Sequence, residues 1–194
     1  MDTLTITVAA DSHVGIQRTA NEDAYARFDL PGCDAAFVGA DGMGGRRAGD
    51  IASGEAVRVL EAVLRERIGA HTDAAGVDAA LREAFARAND AVLALAGPGP
   101  EEPTQDPDQP GAERSLMGTT ALVGIVRDRA LHVAHAGDSR AYLLRDGDLV
   151  PLTEDHSFVA ERVRAGDMTE AEARRSRFRN MVTRAIGIDR AVEP

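Results

Sequence analysis

Tryptophan is absent from this 194-residue chain, aromatic residues make up only 4% of it, and there is one cysteine, Cys33. The shortage of large rings leaves packing to Ala, Val and Leu. With 44% apolar residues the chain still has material for one real core, and its length suits a single domain. A lone cysteine cannot close an internal disulfide, which fits a reducing, cytoplasmic setting. No cysteine-enzyme signature surrounds Cys33, and "PGCDAA" reads as a turn leading into a strand, so a nucleophilic Cys33 is the weaker reading. No run approaches the ~18 apolar residues of a membrane span. The N-terminus lacks a basic region followed by an apolar stretch, so no signal peptide is expected. Cations are scarce relative to acids, 22 against 32, for a net charge of −10. That argues against nucleic acid and against an anionic membrane surface as partners. It leaves room for a local site that takes one phosphate.

What is present is patterned. "LTITVAA" (4–10) alternates and is rich in β-branched residues, so a strand is expected there. "HVGIQRTANED" (13–23) reads as a strand end and loop, "AYARF" as a strand, "DLPGCD" as a turn, and "AAFVGA" (35–40) as a short apolar strand. Ile51, Ala56, Val59, Leu60, Val63, Leu64 and Ile68 then recur near the helical period. A second helix is expected from about Val77 to Leu95, burying Val77, Leu81, Ala84, Phe85, Ala88, Val92 and Leu95. "GPGPEEPTQDPDQPGAE" carries five prolines and marks a flexible, acid-rich loop at 97–116 rather than a domain boundary. Beyond it, "GTTALVGIV" and "ALHVAHAG" form a hairpin about "RDR", and Asp146-Gly147 signals another. "SFVAERVRAG" and "TEAEARR" read as short helices, the first capped by Asp155 or Ser157, the second by a Thr169–Glu172 capping box. Long helices between groups of antiparallel strands predict an α+β fold, not a doubly wound parallel one.

The chemistry centres on "VGADGMGG" (38–45), which sets Asp41 among Gly42, Gly44 and Gly45. A nucleotide-binding P-loop would need a Gly-Lys-Ser/Thr ending, and a dinucleotide fingerprint needs G-x-G-x-x-G; neither is present. Both also place phosphate on backbone amides, where Asp41 would repel it. An acid beside glycine better fits a hard cation, with Asp41 giving charged oxygen and the Gly42 carbonyl another ligand. Further acids follow the same logic: Glu22 and Asp23 after Arg18 in "RTANED", Asp138 in "AGDSR", and the pair in "TEDHS". Each alone is an ordinary turn acid. Together with Arg18 they suggest a metal site that receives an anionic substrate.

Five ordered stretches, "GIQRTANEDA" (15–24), "FVGADGMGGRRAGDIAS" (37–53), "MGTTA" (117–121), "HAGDSRAYLLRDG" (135–147) with "LTEDHS" (152–157), and "VTRAIG" (182–187), make the chain similar to one family. It resembles the metal-dependent protein phosphatases (PPM, protein phosphatase 2C) in their bacterial form. The resemblance implies one domain over residues 1–194, built as a four-layer αββα sandwich of two antiparallel sheets flanked by helices. It implies hydrolysis of phosphoserine and phosphothreonine by a metal-activated water, with two Mn²⁺ or Mg²⁺ ions and a third in bacterial members. By that resemblance Asp41 bridges both metals, the Gly42 carbonyl binds one, and Glu22 holds a metal through water. Arg18 grips the phosphate, Asp138 helps to bind the third ion, and Asp23 props the site by hydrogen bonding. Partners would be phosphorylated proteins or peptides and, at family level, an opposing Ser/Thr protein kinase.

Four features depart from the pattern or stand beside it. Met43 sits where many members carry a histidine proposed as general acid, and methionine cannot give a proton. His13 and His156, near the first and fourth motifs, read as structural. The family continues past "TRAIG" with further strands and helices that carry two metal-binding aspartates; here the sequence stops at Pro194, and Asp189 is too close to the motif to replace them. The expectation is a domain lacking its last strands and helices, with a weakened metal site and an exposed sheet edge. A catalytically impaired phosphopeptide-binding pseudophosphatase or fragment is therefore the alternative. Lastly, "ARRSRFRNMVTR" (173–184) holds five arginines and no acid, in a flap-like segment (157–180) of the family. It suits acidic phosphopeptides, or is a solvated helix face.

Overall fold

Alternation decides which face of each strand is covered. In the computed structural model, which describes residues 5–16, 18–44, 48–96 and 117–194, strands β1 (Asp23–Phe28) and β2 (Ala35–Met43) precede two long helices, α1 (Ala48–Arg67) and α2 (Ala74–Ala96). Then come β3 (Gly118–Thr119), β4 (Ala121–Arg127), β5 (Ala130–Ala136), β6 (Tyr142–Arg145), β7 (Asp148–Pro151), and helices α3 (Phe158–Arg164) and α4 (Glu170–Arg175). Ala36, Val38 and Ala40 of β2 and Ala121, Val123 and Ile125 of β4 share one buried face. The helix pair covers it with Leu60, Leu64, Val77, Phe85 and Val92. Small and aliphatic side chains therefore make the core, and Phe85 is its largest fully buried member.

Every strand pairing is antiparallel. One sheet runs β1-β2-β4-β5, with β3 on the end of β2; the other is the β6-β7 hairpin. The α+β class with two antiparallel sheets and helices is thus the one the sequence predicts. Asp146 and Gly147 turn the β6-β7 hairpin with φ of 55° and 93°. The β4-β5 turn does the same with Asp128 and Arg129 at 51° and 64°, without glycine. Ser157, not Asp155, caps α3, and Thr169 with Glu172 forms the expected capping box on α4.

Three expectations are corrected or fall outside view. Residues 5–9 alternate in exposure, but 5–10 form no strand; alternation marks a face and cannot supply a partner for the backbone. Ile51 and Leu95 are about half exposed. At the start of α1 the buried stripe is Gly49, Ala52, Ser53 and Ala56, one position out of phase with Ile51. Leu95 lies in the last turn of α2, beyond its final buried residue, Val92. The proline-rich stretch at 97–116 lies outside the described residues.

Candidate active site

β2 carries Asp41 to the rim of the large sheet, and its neighbours clamp the main chain there. The Asp41 N–H donates to Thr120 Oγ1 (2.9 Å). Its carbonyl accepts from the Thr120 N–H (2.9 Å) and from Thr119 Oγ1 (2.9 Å). Thr119 in turn exchanges two backbone hydrogen bonds with Ile186 (3.0 and 2.9 Å), so the "TRAIG" stretch braces β3 from behind. Asn89 of α2 secures that stretch, accepting from Gly187 N–H (2.8 Å) and donating to the Asp189 carbonyl (2.9 Å). Thr120 Oγ1 also shares a hydrogen bond with Ser139 Oγ (2.8 Å), tying Asp41 to the loop that carries Asp138.

Gly42 has a packing reason to be glycine. A Cβ there would stand 2.1 Å from the Gly49 carbonyl oxygen and 2.7 Å from that of Glu22. The first turn of α1 lies directly on the strand end, and Ser53 Oγ donates to the Glu22 carbonyl (2.6 Å) to lock the junction. The Gly42 N–H donates to the same carbonyl (3.1 Å).

A cavity of ≈ 700 Å³ opens at this rim and brings together Arg18, Glu22, Asp41, Gly42 and Asp138, five of the six residues singled out in the sequence. Glu22 is 8% exposed and accepts from Arg18 Nη1 (2.8 Å). Asp23 stands apart. It lines a neighbouring cavity of ≈ 560 Å³, which Asp41 also borders, and accepts from Ser12 Oγ (3.0 Å). Asp23 and Asp41 are nevertheless direct partners in the β1-β2 ladder. Loss of water around the Asp41 carboxyl, and then the negative charge of Asp23, push its pKa above the usual carboxylate range; Asp138 and Glu22 add to this, and Arg18 opposes it. Among the described residues no three His, Cys, Asp or Glu side chains gather as a ready metal cage. The carboxylates ring the cavity instead of converging on a point.

Met43 lines the cavity as well. His13 Nδ1 accepts from Gly15 N–H (2.9 Å) in a local turn. The His156 backbone N–H donates to the Gly137 carbonyl (3.0 Å), its Nδ1 accepts from the Gly137 N–H (3.3 Å), and its ring stacks on His135 with centroids 4.4 Å apart. Burial and the charges of Arg184, His135 and Arg164 pull its pKa down to about 4, so it is neutral at physiological pH. Cys33 lies in the turn before β2, at the opposite end of that strand from Asp41. Sequence reasoning did not single out Thr120, Asn180 or Val182, which also line the cavity. Thr120 lay within a quoted motif without a role, and Asn180 gave no local signal.

Comparison with known proteins puts this geometry in context. The family model described as Protein phosphatase 2C matches residues 11–193. The serine/threonine phosphatase stp of Listeria welshimeri is 35% identical over 176 residues, covering 91% of this chain and 65% of that protein. PstP of Mycobacterium tuberculosis, a serine/threonine protein phosphatase, is 35% identical over 185 residues, covering 95% of this chain and 32% of that one. The S. agalactiae serine/threonine phosphatase structure superposes with a TM-score of 0.78 at 32% identity, over 94% of this chain and 69% of that one. The PstP catalytic domain in complex with 2 manganese ions superposes with a TM-score of 0.64 at 33% identity, over 92% of this chain and 66% of that one. The chain spans about 65% of the length of the Listeria relatives it matches.

Proposed function

This chain belongs to the protein phosphatase 2C family, and we propose that it is a metal-dependent protein serine/threonine phosphatase. The observation that carries the proposal is the meeting of Glu22, Asp41 and Asp138 with Arg18 in one open cavity. The donor set fits a hard divalent ion: carboxylate and carbonyl oxygens, with burial first and the charge of Asp23 second raising the pKa of the Asp41 carboxyl. Asp41, the Gly42 carbonyl, Glu22 and Asp138 would hold Mn²⁺ or Mg²⁺. Bound there, the ions would supply an activated water and draw charge from the phosphoryl oxygens.

The chain's own groups supply the rest. Arg18 uses one N–H on Glu22; a guanidinium has five, so others remain to grip a phosphate dianion in fork geometry. That same contact keeps the guanidinium beside the acids. Asp23 supports the site from across the ladder, held by Ser12. Met43 offers no proton, so the departing serine or threonine oxygen must be protonated by a water or by another group at the cavity. Substrates are phosphorylated proteins or peptides, products of a Ser/Thr protein kinase, met in the cytoplasm. Among the described residues no helix is long and apolar enough to cross a membrane.

The test is hydrolysis of p-nitrophenyl phosphate and of a phosphothreonine peptide, with and without Mn²⁺, by the wild type and by Asp41→Ala. Metal-dependent turnover that disappears in the variant supports the proposal. A wild type that turns over neither substrate in the presence of Mn²⁺ rejects it.

A further inference from the structure

The chain carries a net charge of −10, yet residues 173–184 hold five arginines and no acid. The far end of this run is fixed in place. Ser157 and Val182 form a β-bridge, the Phe158 N–H donates to the Met181 carbonyl (2.9 Å), and the Thr183 N–H donates to that of His156 (2.8 Å). Asn180 and Val182 consequently line the same cavity as Arg18 and Asp41. Immediately before them the chain runs through tight turns, with Arg179 N–H donating to the Ser176 carbonyl (3.2 Å) and Met181 N–H to that of Phe178 (2.9 Å). Arg174, Arg175, Arg177 and Arg179 are all exposed there. Arg162 and Arg164, earlier in the segment, face Asp167 and Glu154. Among the described residues, no carboxylate stands within ion-pair distance of the four arginines between 174 and 179. The nearest acids in sequence, Glu170 and Glu172, sit in the first turn of α4, and Glu172 is folded back onto Thr169.

We propose that these arginines form a specificity surface selecting phosphoserine or phosphothreonine sites flanked on one side by Asp or Glu. The inference rests on reading the adjoining cavity as the phosphate site. Arg179 directly precedes Asn180 on the cavity wall and is exposed beside it. Arg177, two positions earlier, is also exposed, with its guanidinium over the Phe178 ring (4.5 Å to the centroid). These two arginines stand nearest the cavity in the chain and would meet the residues flanking the phosphoresidue, with Arg174 and Arg175 further back. Guanidinium groups suit carboxylates because their planar fork matches both oxygens. Exposed pairs are individually weak, about two- to fivefold each, so several acting together give about tenfold. Salt should erode the preference, since screening sets in over ~8–10 Å.

The experiment compares three fluorescent phosphothreonine peptides with acidic, neutral and basic flanks. kcat/KM is measured with Mn²⁺, and binding by anisotropy on the metal-free chain, where no turnover competes, at low and high salt. The expected order is acidic above neutral by about tenfold, with the basic peptide last and the spread shrinking in salt. In Arg177→Glu/Arg179→Glu the order should reverse; each ratio is taken within one protein, so a partly unfolded fraction cancels. Equal kcat/KM and equal binding across the three peptides, or an unchanged order in the double variant, overturns the inference. If p-nitrophenyl phosphate is turned over while the ranking is flat, this inference fails and the phosphatase reading survives. If the ranking holds in binding with no turnover of any substrate, the phosphatase reading fails instead.

Discussion

Replacing Thr120 by valine should damage the site more than the removal of one hydroxyl suggests. Thr120 is 1% exposed, and its Oγ1 accepts the Asp41 N–H (2.9 Å) while sharing a hydrogen bond with Ser139 Oγ (2.8 Å). Valine keeps the shape and removes both contacts. Ser139 can turn toward water, but the Asp41 N–H lies against the lost oxygen with no substitute. An unsatisfied backbone donor of this kind costs about 1–3 kcal/mol. In a domain of this size that corresponds to a melting point about 3–10 °C lower. The functional loss should be larger, because the side-chain hydrogen bonds through which Thr120 ties the strand end bearing Asp41 to the loop bearing Asp138 would be gone. Displacing a catalytic ligand by ~1 Å can cost on the order of a hundredfold in rate.

Thr120→Ser separates the two effects. It keeps the oxygen and loses the methyl group that lies beside Gly137, where a Cβ would come within 2.6 Å of it. Burying one methyl less costs about 1 kcal/mol. The serine variant should therefore melt lower than wild type but hold Mn²⁺ with the same affinity. The valine variant should lose both. Thermal melting, Mn²⁺ titration calorimetry and kcat/KM on p-nitrophenyl phosphate measure the three quantities. Equal Mn²⁺ affinity in the valine variant and wild type would refute the reasoning, as would a serine variant impaired in Mn²⁺ binding as severely as the valine one.

Three further outcomes are expected. Gly42→Ala drives a Cβ to 2.1 Å from the Gly49 carbonyl oxygen, so α1 must shift off the strand end at about 3 kcal/mol or more; a melting point within a degree or two of wild type contradicts this packing. Asp41→Asn should abolish turnover yet leave the metal-free chain at least as stable at neutral pH, by about 0–1 kcal/mol given the solvent contact, because it removes a half-buried charge and its repulsion from Asp23, Asp138 and Glu22, at the loss of its attraction to Arg18; clear destabilisation in a metal-free melt would count against the charge argument. His156 titrates at about 4 in the fold instead of 6.5, so between those values the unfolded chain binds more protons and stability rises with pH. Its contribution is complete above pH ~6.5 and disappears as pH falls toward ~4, about 1–2 kcal/mol after allowance for its partial solvent contact. His156→Asn should flatten that part of the stability–pH curve, and an unaltered slope would show that His156 is not its source.

Some of this arrangement is written in local pattern and some is not. Strand β1 follows from alternation, β2 from a short apolar run, β4 and β5 from the hairpin about "RDR", and the β6-β7 hairpin from Asp146-Gly147, because each signal concerns residues that are neighbours in the chain. Arg18 and Glu22, four residues apart, were also visible as a charged group near Asp41. Thr120 was not, because it meets Asp41 across 79 positions through the pairing of β2 with β3. Ile51 misled for a related reason. Periodicity rewards large apolar residues, whereas the start of α1 approaches the strand so closely that its buried stripe consists of Gly49, Ala52, Ser53 and Ala56. The same close approach gives Gly42 a cause that a motif alone attributes to a cation.

Hydrogen bonds fall differently on Asp41 than on the two acids beside it. Glu22 has its carboxylate occupied by Arg18, and Asp23 by Ser12. Asp41 is held by three hydrogen bonds, every one of them to its main chain. Among the described residues no donor reaches its carboxylate oxygens, although burial, and then the charge of Asp23, disfavour their ionised form. A fold seeking only stability would satisfy that carboxylate or replace it, since like charges facing each other across a ladder are unfavourable. On the proposed function, fixing the backbone and leaving the oxygens uncommitted would place a rigid, charged ligand where a cation could supply the missing counter-charge. The same negative charge that makes Asp41 a burden to the metal-free chain would then make it the strongest point of attachment for Mn²⁺ or Mg²⁺. The stability gained on metal binding should therefore fall furthest in Asp41→Asn, further than in Asp138→Asn, where no comparable clamp of backbone hydrogen bonds is found among the described residues.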